Sequence, residues 1–196
     1  MANSTDLIRN VAIAGHGGTG KTTLLEHLLF QSGAIPKPET IESGKTVSDY
    51  GEDEIARKIS IRASLSHVAH KGAKINFLDT PGSSDFVGDV ILAFRSCESA
   101  LVMIDAKTGV QIETIKLWRN LEGRKKPRIV FASKLDEERA SFQSALDDVK
   151  EKFKVVPVPI TIPMGEGSSF SGIVEVLNGL AYPLPSSHDQ KEAGVP

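Results

Sequence analysis

Along the chain, short apolar runs rich in Val, Ile and Phe alternate with longer stretches whose apolar residues recur every three or four positions. This is the pattern of buried strands joined by amphipathic helices. The runs predict strands over Asn10 to Ala14, Ser60 to Ala69, Lys74 to Leu78, Ala100 to Ile104 and Arg128 to Ala132. The stretches between them predict helices over Gly20 to Gln31, Ser84 to Arg95, Gln111 to Glu122 and Glu137 to Phe153. Such an order implies an α/β three-layer sandwich with a mostly parallel sheet. Lys71-Gly72 is too short for a crossover and suits a hairpin, which makes the sheet mixed, with one antiparallel edge strand. From Pro36 to Lys58 the chain is polar and weakly periodic, a length of loop that suggests a mobile switch or lid. After Phe153, VVPVPITIP carries three prolines, which confines it to an edge strand. The residues from Ser186 to Pro196 read as a loose polar tail.

Composition narrows the class further. The 196 residues are 40% hydrophobic and 24% charged, enough for a globular core and against wholesale disorder. With 23 basic and 25 acidic residues the formal charge is −2, so no overall field announces sequence-specific DNA or an anionic membrane. The single Cys97 cannot form an internal disulfide, MANSTDLIRN lacks the plan of a signal peptide, and no apolar run reaches membrane-spanning length. The expectation is a monomer in a reducing compartment, the cytoplasm.

Three motifs bring chemistry to this frame. GHGGTGKT runs from Gly15 through His16, Gly17, Gly18, Thr19, Gly20 and Lys21 to Thr22, with Thr23 following. It lies after a strand and before a helix, where a phosphate loop belongs. Its glycines let several backbone N–H groups converge on one anion, and the helix beginning near Gly20 adds its positive end. Lys21 would neutralise β- and γ-phosphates, and the Thr22 hydroxyl would ligate magnesium. DTPG, Asp79 to Gly82, ends a predicted strand: Asp79 would hold magnesium through water and the Gly82 N–H would meet the γ-phosphate. SKLD, Ser133 to Asp136, ends the last predicted strand. There Asp136 would accept two hydrogen bonds from guanine, with the Lys134 stem along the base. Adenine lacks those donors, so the carboxylate selects for guanine.

With these motifs and the segments DTPGSSDFVGDV, AKTGVQIETIKLWRN and PMGEGSSFSGIVEVLNGLAY, the chain from about Asn10 to Tyr182 resembles the GTP-binding domain of elongation factor G and its bacterial paralogues. The resemblance implies a Mg·GTP-binding GTPase with the ribosome as partner, GDP and phosphate as products, and switch loops at Pro36 to Ser60 and Gly82 to Val90. It assigns Lys21, Gly82 and Ser83 to catalysis and Thr22, Ser60 and Asp79 to the metal. It also implies that residues 1–153 are a GTPase core lacking its last strand and helix, that 154–185 begin an inserted subdomain, and that the chain is an N-terminal piece. Four positions depart from the family pattern. Gly18 replaces an Asp, Ser60 a Thr, Ser83 the histidine that positions the attacking water, and Ser133 the Asn of the guanine loop.

Two other readings stay open on the sequence: a nucleotide-sensing module with negligible hydrolysis, and an ATP-dependent P-loop enzyme in which SKLD is accidental. RKKPR, Arg124 to Arg128, reads as a solvated charge run rather than an RNA contact, and Trp118, Phe94 and Cys97 as core residues.

Overall fold

The computed structural model describes residues 4–184. Five strands form one sheet in the order β2-β3-β1-β4-β5: β1 (Ile8–Gly15), β2 (Ser64–His70), β3 (Ala73–Asp79), β4 (Ser99–Asp105) and β5 (Arg128–Ser133). β1 pairs in parallel with both β3 and β4, whereas β2 runs antiparallel to β3 and stands at the edge. The mixed sheet expected from the Lys71-Gly72 turn is therefore present, and both turn residues have the positive φ that a tight hairpin requires (47° and 82°).

The helices are α1 (Lys21–Gln31), α2 (Glu52–Arg57), α3 (Val87–Ser96), α4 (Ile112–Gly123) and α5 (Phe142–Phe153). By contact the chain divides into two compact units, one of residues up to Met103 with Lys116–Phe131, the other of Ile104–Ile115 with the residues from Ala132 onward. In the first unit, Ile13, Phe77, Val68 and Met103 from the sheet meet Leu25 and Leu29 of α1 in one buried cluster. In the second, Ala145, Val149 and Phe153 bury one face of α5. There the chain also builds a separate three-stranded antiparallel sheet, β6 (Thr161–Met164), β7 (Gly172–Glu175) and β8 (Leu180–Pro183), with Pro163 on its edge strand β6.

Three boundaries correct the sequence pattern. The 36–58 segment is not a plain loop: it holds a short 3-10 turn (Ile41–Ser43) and α2, and its Thr46, Ser48, Asp49 and Glu54 are buried. Its order comes from carboxylates accepting main-chain N–H groups, which hydropathy does not register. Strand β2 starts at Ser64 rather than Ser60, because Ile61 and Arg62 spend their N–H groups on Glu54 and Ala63 spends its own on Asp89. Helix α5 starts at Phe142, not Glu137, since Ser141 in extended conformation accepts the Ser144 N–H as an N-cap. The α3 region also begins with a 3-10 turn over Ser84–Phe86. The tail from Ser186 lies outside the described residues.

RKKPR is not simply a solvated run. Lys126 Nζ donates to Cys97 O, Arg124 Nε to Asn120 Oδ1, and Arg128 lies 4.1 Å over the Trp118 ring. Among the described residues no helix is long and apolar enough to cross a membrane.

Candidate functional site

The first unit gathers a phosphate-loop arrangement around the C-terminal ends of β1 and β3. β1 ends at Gly15, the loop turns through His16 to Gly20, and α1 begins at Lys21. Lys21 is 6% exposed, and its ammonium donates to Gly15 O (3.0 Å) and His16 O (2.9 Å), so its charge is held at the mouth of the loop. Burial lowers its pKa against the pull of Asp79 and Asp49. Thr19 Oγ1 donates to His16 O, and His16 Nδ1 lies 2.7 Å from Gly17 O, so the histidine is locally bonded. Gly18 has φ 78° with nothing within 4 Å of an added Cβ, so an Asp there has room but meets backbone strain. Thr23 lies exposed on α1.

The DTPG turn closes against this loop. Thr80 is fully buried, and both its N–H and its hydroxyl donate to Ile13 O. That anchors the turn on β1 and brings Gly82 to the loop. A Cβ at Gly82 would stand 2.6 Å from Gly17 N, Gly17 Cα and Lys21 Nζ, so only glycine fits. Ser83 is half-buried, and its Oγ accepts the Asp85 N–H at 3.3 Å, capping the 3-10 turn.

Beside the loop lies a cluster of oxygens. Thr22 Oγ1 donates to Asp79 Oδ2 at 2.8 Å and lies 3.4 Å from Ser60 Oγ and 3.5 Å from Asp49 Oδ2. Asp79 is 1% exposed, and its other oxygen, Oδ1, is buried with no hydrogen-bond partner. Burial raises its carboxyl to about 6, opposed by Thr22 and Lys21, and burial likewise raises Asp49. Two carboxylates, that of Asp79 with one oxygen orphaned, and two hydroxyls form a hard-oxygen donor set that suits magnesium. Thr22, Ser60 and Asp79 thus lie together, and Asp49 joins them. Sequence reasoning missed Asp49, since a lone acid in a polar stretch carries no signal. The pairing appears only once the segment folds back on α1.

In the second unit, Ser133 and Lys134 follow β5. Ser133 Oγ donates to Ile104 O, and Lys134, at φ 59°, places its ammonium 3.1 Å from Asp105 Oδ2 and 3.5 Å from Glu137 Oε1. Burial lowers the Lys134 pKa, but Asp105 and Glu137 outweigh it and the net shift is upward. Asp105 in turn accepts the Lys107 and Thr108 N–H groups. Asp136 is exposed, and Leu135 O accepts the Gly167 N–H from the loop between β6 and β7. That loop fixes the SKLD turn from outside the motif, a contact the motif itself does not announce.

A glycine loop closed by a buried lysine and a DTPG turn, on an α/β fold, make an arrangement suited to holding an anion. The sequence model of the elongation factor Tu GTP binding domain matches residues 6–186, and the chain belongs to that family. It is 37% identical over 171 residues to the mitochondrial ribosome-releasing factor 2 of Rattus norvegicus, covering 87% of this chain and 22% of that protein. It is 34% identical to elongation factor G of Mycoplasma pneumoniae over its whole length, which is 29% of that protein. An elongation factor G-like protein of Thermotoga maritima is 36% identical, with 94% of this chain and 26% of that one covered. A crystal structure from Thermus thermophilus superposes with a TM-score of 0.87 at 34% identity, covering 97% of this chain and 28% of the other. The chain thus spans between a fifth and a third of the length of these relatives. The expected P-loop GTPase α/β fold is the one observed.

Proposed function

We propose that this chain is the GTP-hydrolysing module of an elongation factor G-like translation protein, binding guanine nucleotide and acting with the ribosome. The observation that carries the reading is the Lys21 ammonium, buried on two loop carbonyls with Gly82 packed against it. In a phosphate loop the place of that charge is against the β- and γ-phosphates, for which it would exchange its two loop carbonyls. The Gly82 N–H then donates to the γ-phosphate, and the backbone N–H groups from Gly17 to Thr22 receive the remaining phosphate charge. Thr22, Ser60 and Asp79 would hold magnesium, with Asp49 beside them, and the ion would supply positive charge against the phosphates. Asp136 accepts from guanine, braced by Ser133 and Lys134. Loss of the γ-phosphate releases the segments at 36–60 and 82–90.

The domain reading is part of the proposal. The separate sheet β6-β7-β8 supports residues from Lys154 onward as the start of an inserted subdomain. The edge position of β5, with Ile129 and Phe131 exposed, supports a core lacking its last strand and helix. The reading is tested by phosphate release from GTP with magnesium, on the parent and on Lys21→Ala. Release that the substitution abolishes supports it, and equal release by both excludes the assigned site.

A further inference from the structure

The most deeply buried carboxylate that the proposed chemistry leaves unused is Glu26. It stands on α1 beside Leu25, one turn after Thr22, and is 1% exposed. A carboxylate so buried needs partners. Its partners are two main-chain N–H groups: Glu39 N donates to Oε2 at 3.0 Å and Val47 N to Oε1 at 2.6 Å. One side chain therefore grips both ends of the stretch from Glu39 to Val47, with one oxygen for each end. Between the grips the chain makes the 3-10 turn at Ile41–Ser43 and reverses at Gly44, φ 65°. Directly after the second grip come buried Ser48 and Asp49, the latter 3.5 Å from Thr22 Oγ1.

We infer that Glu26 is a positioning residue that acts through this loop: by fixing Glu39 and Val47 to the phosphate-loop helix it sets Asp49 against Thr22 and Ser60, and so orders the metal end of the site. The inference rests on the magnesium-nucleotide reading above. Hydrogen bonds to an ionised acceptor are short and strong, and because the donors are main chain the loop's own side chains need carry no signal. Both oxygens are needed. A glutamine keeps the volume but turns an amide NH2 toward one of the two N–H donors, so one grip is lost. Glu54 supplies a contrast, since it accepts the Gly51, Ile61 and Arg62 N–H groups and ties the later part of the segment to itself rather than to α1.

The test is amide hydrogen exchange on the whole chain in chelator without nucleotide, comparing the parent with Glu26→Gln, Glu26→Ala and Glu54→Gln. Exchange over 39–49 should quicken about tenfold or more in both Glu26 variants, as for loss of a charge-assisted bond, while β1 and β3 stay unchanged. Glu54→Gln should quicken 51–62 and spare 39–47. A second readout is GDP dissociation: the magnesium concentration that half-maximally slows it should rise about tenfold in the Glu26 variants, with the rate in chelator unaltered. Unchanged exchange over 39–49, an equal rise throughout the chain, or an unaltered magnesium requirement would each overturn the inference. If the parent binds no guanine nucleotide, the function proposed above fails, and the exchange arm still decides whether Glu26 anchors the loop.

Discussion

Gly82→Ala exposes how closely the DTPG turn and the phosphate loop are fitted. The added Cβ would stand 2.6 Å from Gly17 N, Gly17 Cα and Lys21 Nζ, where ordinary contact begins near 3.4 Å. Relief therefore takes a displacement of about 0.8 Å, and forcing a group into a filled site of this kind costs on the order of 1–3 kcal/mol. The Lys21 ammonium can yield by leaving Gly15 O and His16 O, but Gly17 is backbone and the turn is pinned through Thr80 to Ile13. The strain thus falls on the loop and on the position of residue 82 itself. Thermal unfolding should shift down by about 2–4 °C for each kcal/mol in a chain of this size. Phosphate release should suffer far more, since misplacing a transition-state donor by about 1 Å costs roughly 100-fold. GTP affinity should fall more than GDP affinity, because residue 82 is assigned to the γ-phosphate. A Gly82→Ala chain that melts with the parent and releases phosphate at the parental rate would refute both the fit and the assignment.

Three further outcomes follow from the same geometry. In nucleotide-free protein kept in chelator, the Asp79 carboxyl holds its proton up to about 6 whereas the unfolded chain loses it near 3.9; raising pH through that window favours the unfolded state by at most about 3 kcal/mol, and urea midpoints against pH should show this fall in the parent and not in Asp79→Asn. Lys21→Ala should weaken GTP and ATP alike by at least about tenfold, and a fluorescent-nucleotide titration with no such loss would remove Lys21 from the phosphates. Hydrolysis by the parent should be slow, and Ser83→His should raise steady-state release by on the order of 100-fold while lowering the melting temperature slightly through loss of the cap on Asp85 N; brisk parental turnover that the substitution leaves unchanged would show that another residue positions the water.

The glycine loop from Gly15 to Thr22, with a strand before it and a helix after, was legible in the sequence because its signal is local: glycines, a lysine and a hydroxyl in fixed spacing. The hairpin at Lys71-Gly72 was legible for the same reason. What stayed hidden depends on partners far along the chain. Glu26 looks like a solvated helix acid until Glu39 and Val47 turn their N–H groups toward it. Glu54 and Asp89 hide in the same way, and with them the reason that 36–63 is folded and that β2 waits until Ser64. The start of α5 was misplaced because Glu137, Glu138 and Arg139 are good helix formers. Tertiary contacts overrule them: Glu137 is drawn to Lys107 and Lys134, Arg139 takes φ 68°, and Glu166 accepts the Phe142 N–H.

The guanine assignment is the part of the account that separates this chain from other phosphate-loop proteins, and one competition experiment addresses it. Fluorescent GDP bound to the parent chain is displaced with GDP and with ADP, and the pair is repeated on Asp136→Asn. A carboxylate that accepts two guanine donors predicts that GDP displaces the probe at least about tenfold better than ADP from the parent, and that the substitution erases most of that preference. Equal displacement by ADP and GDP from the parent would contradict the account.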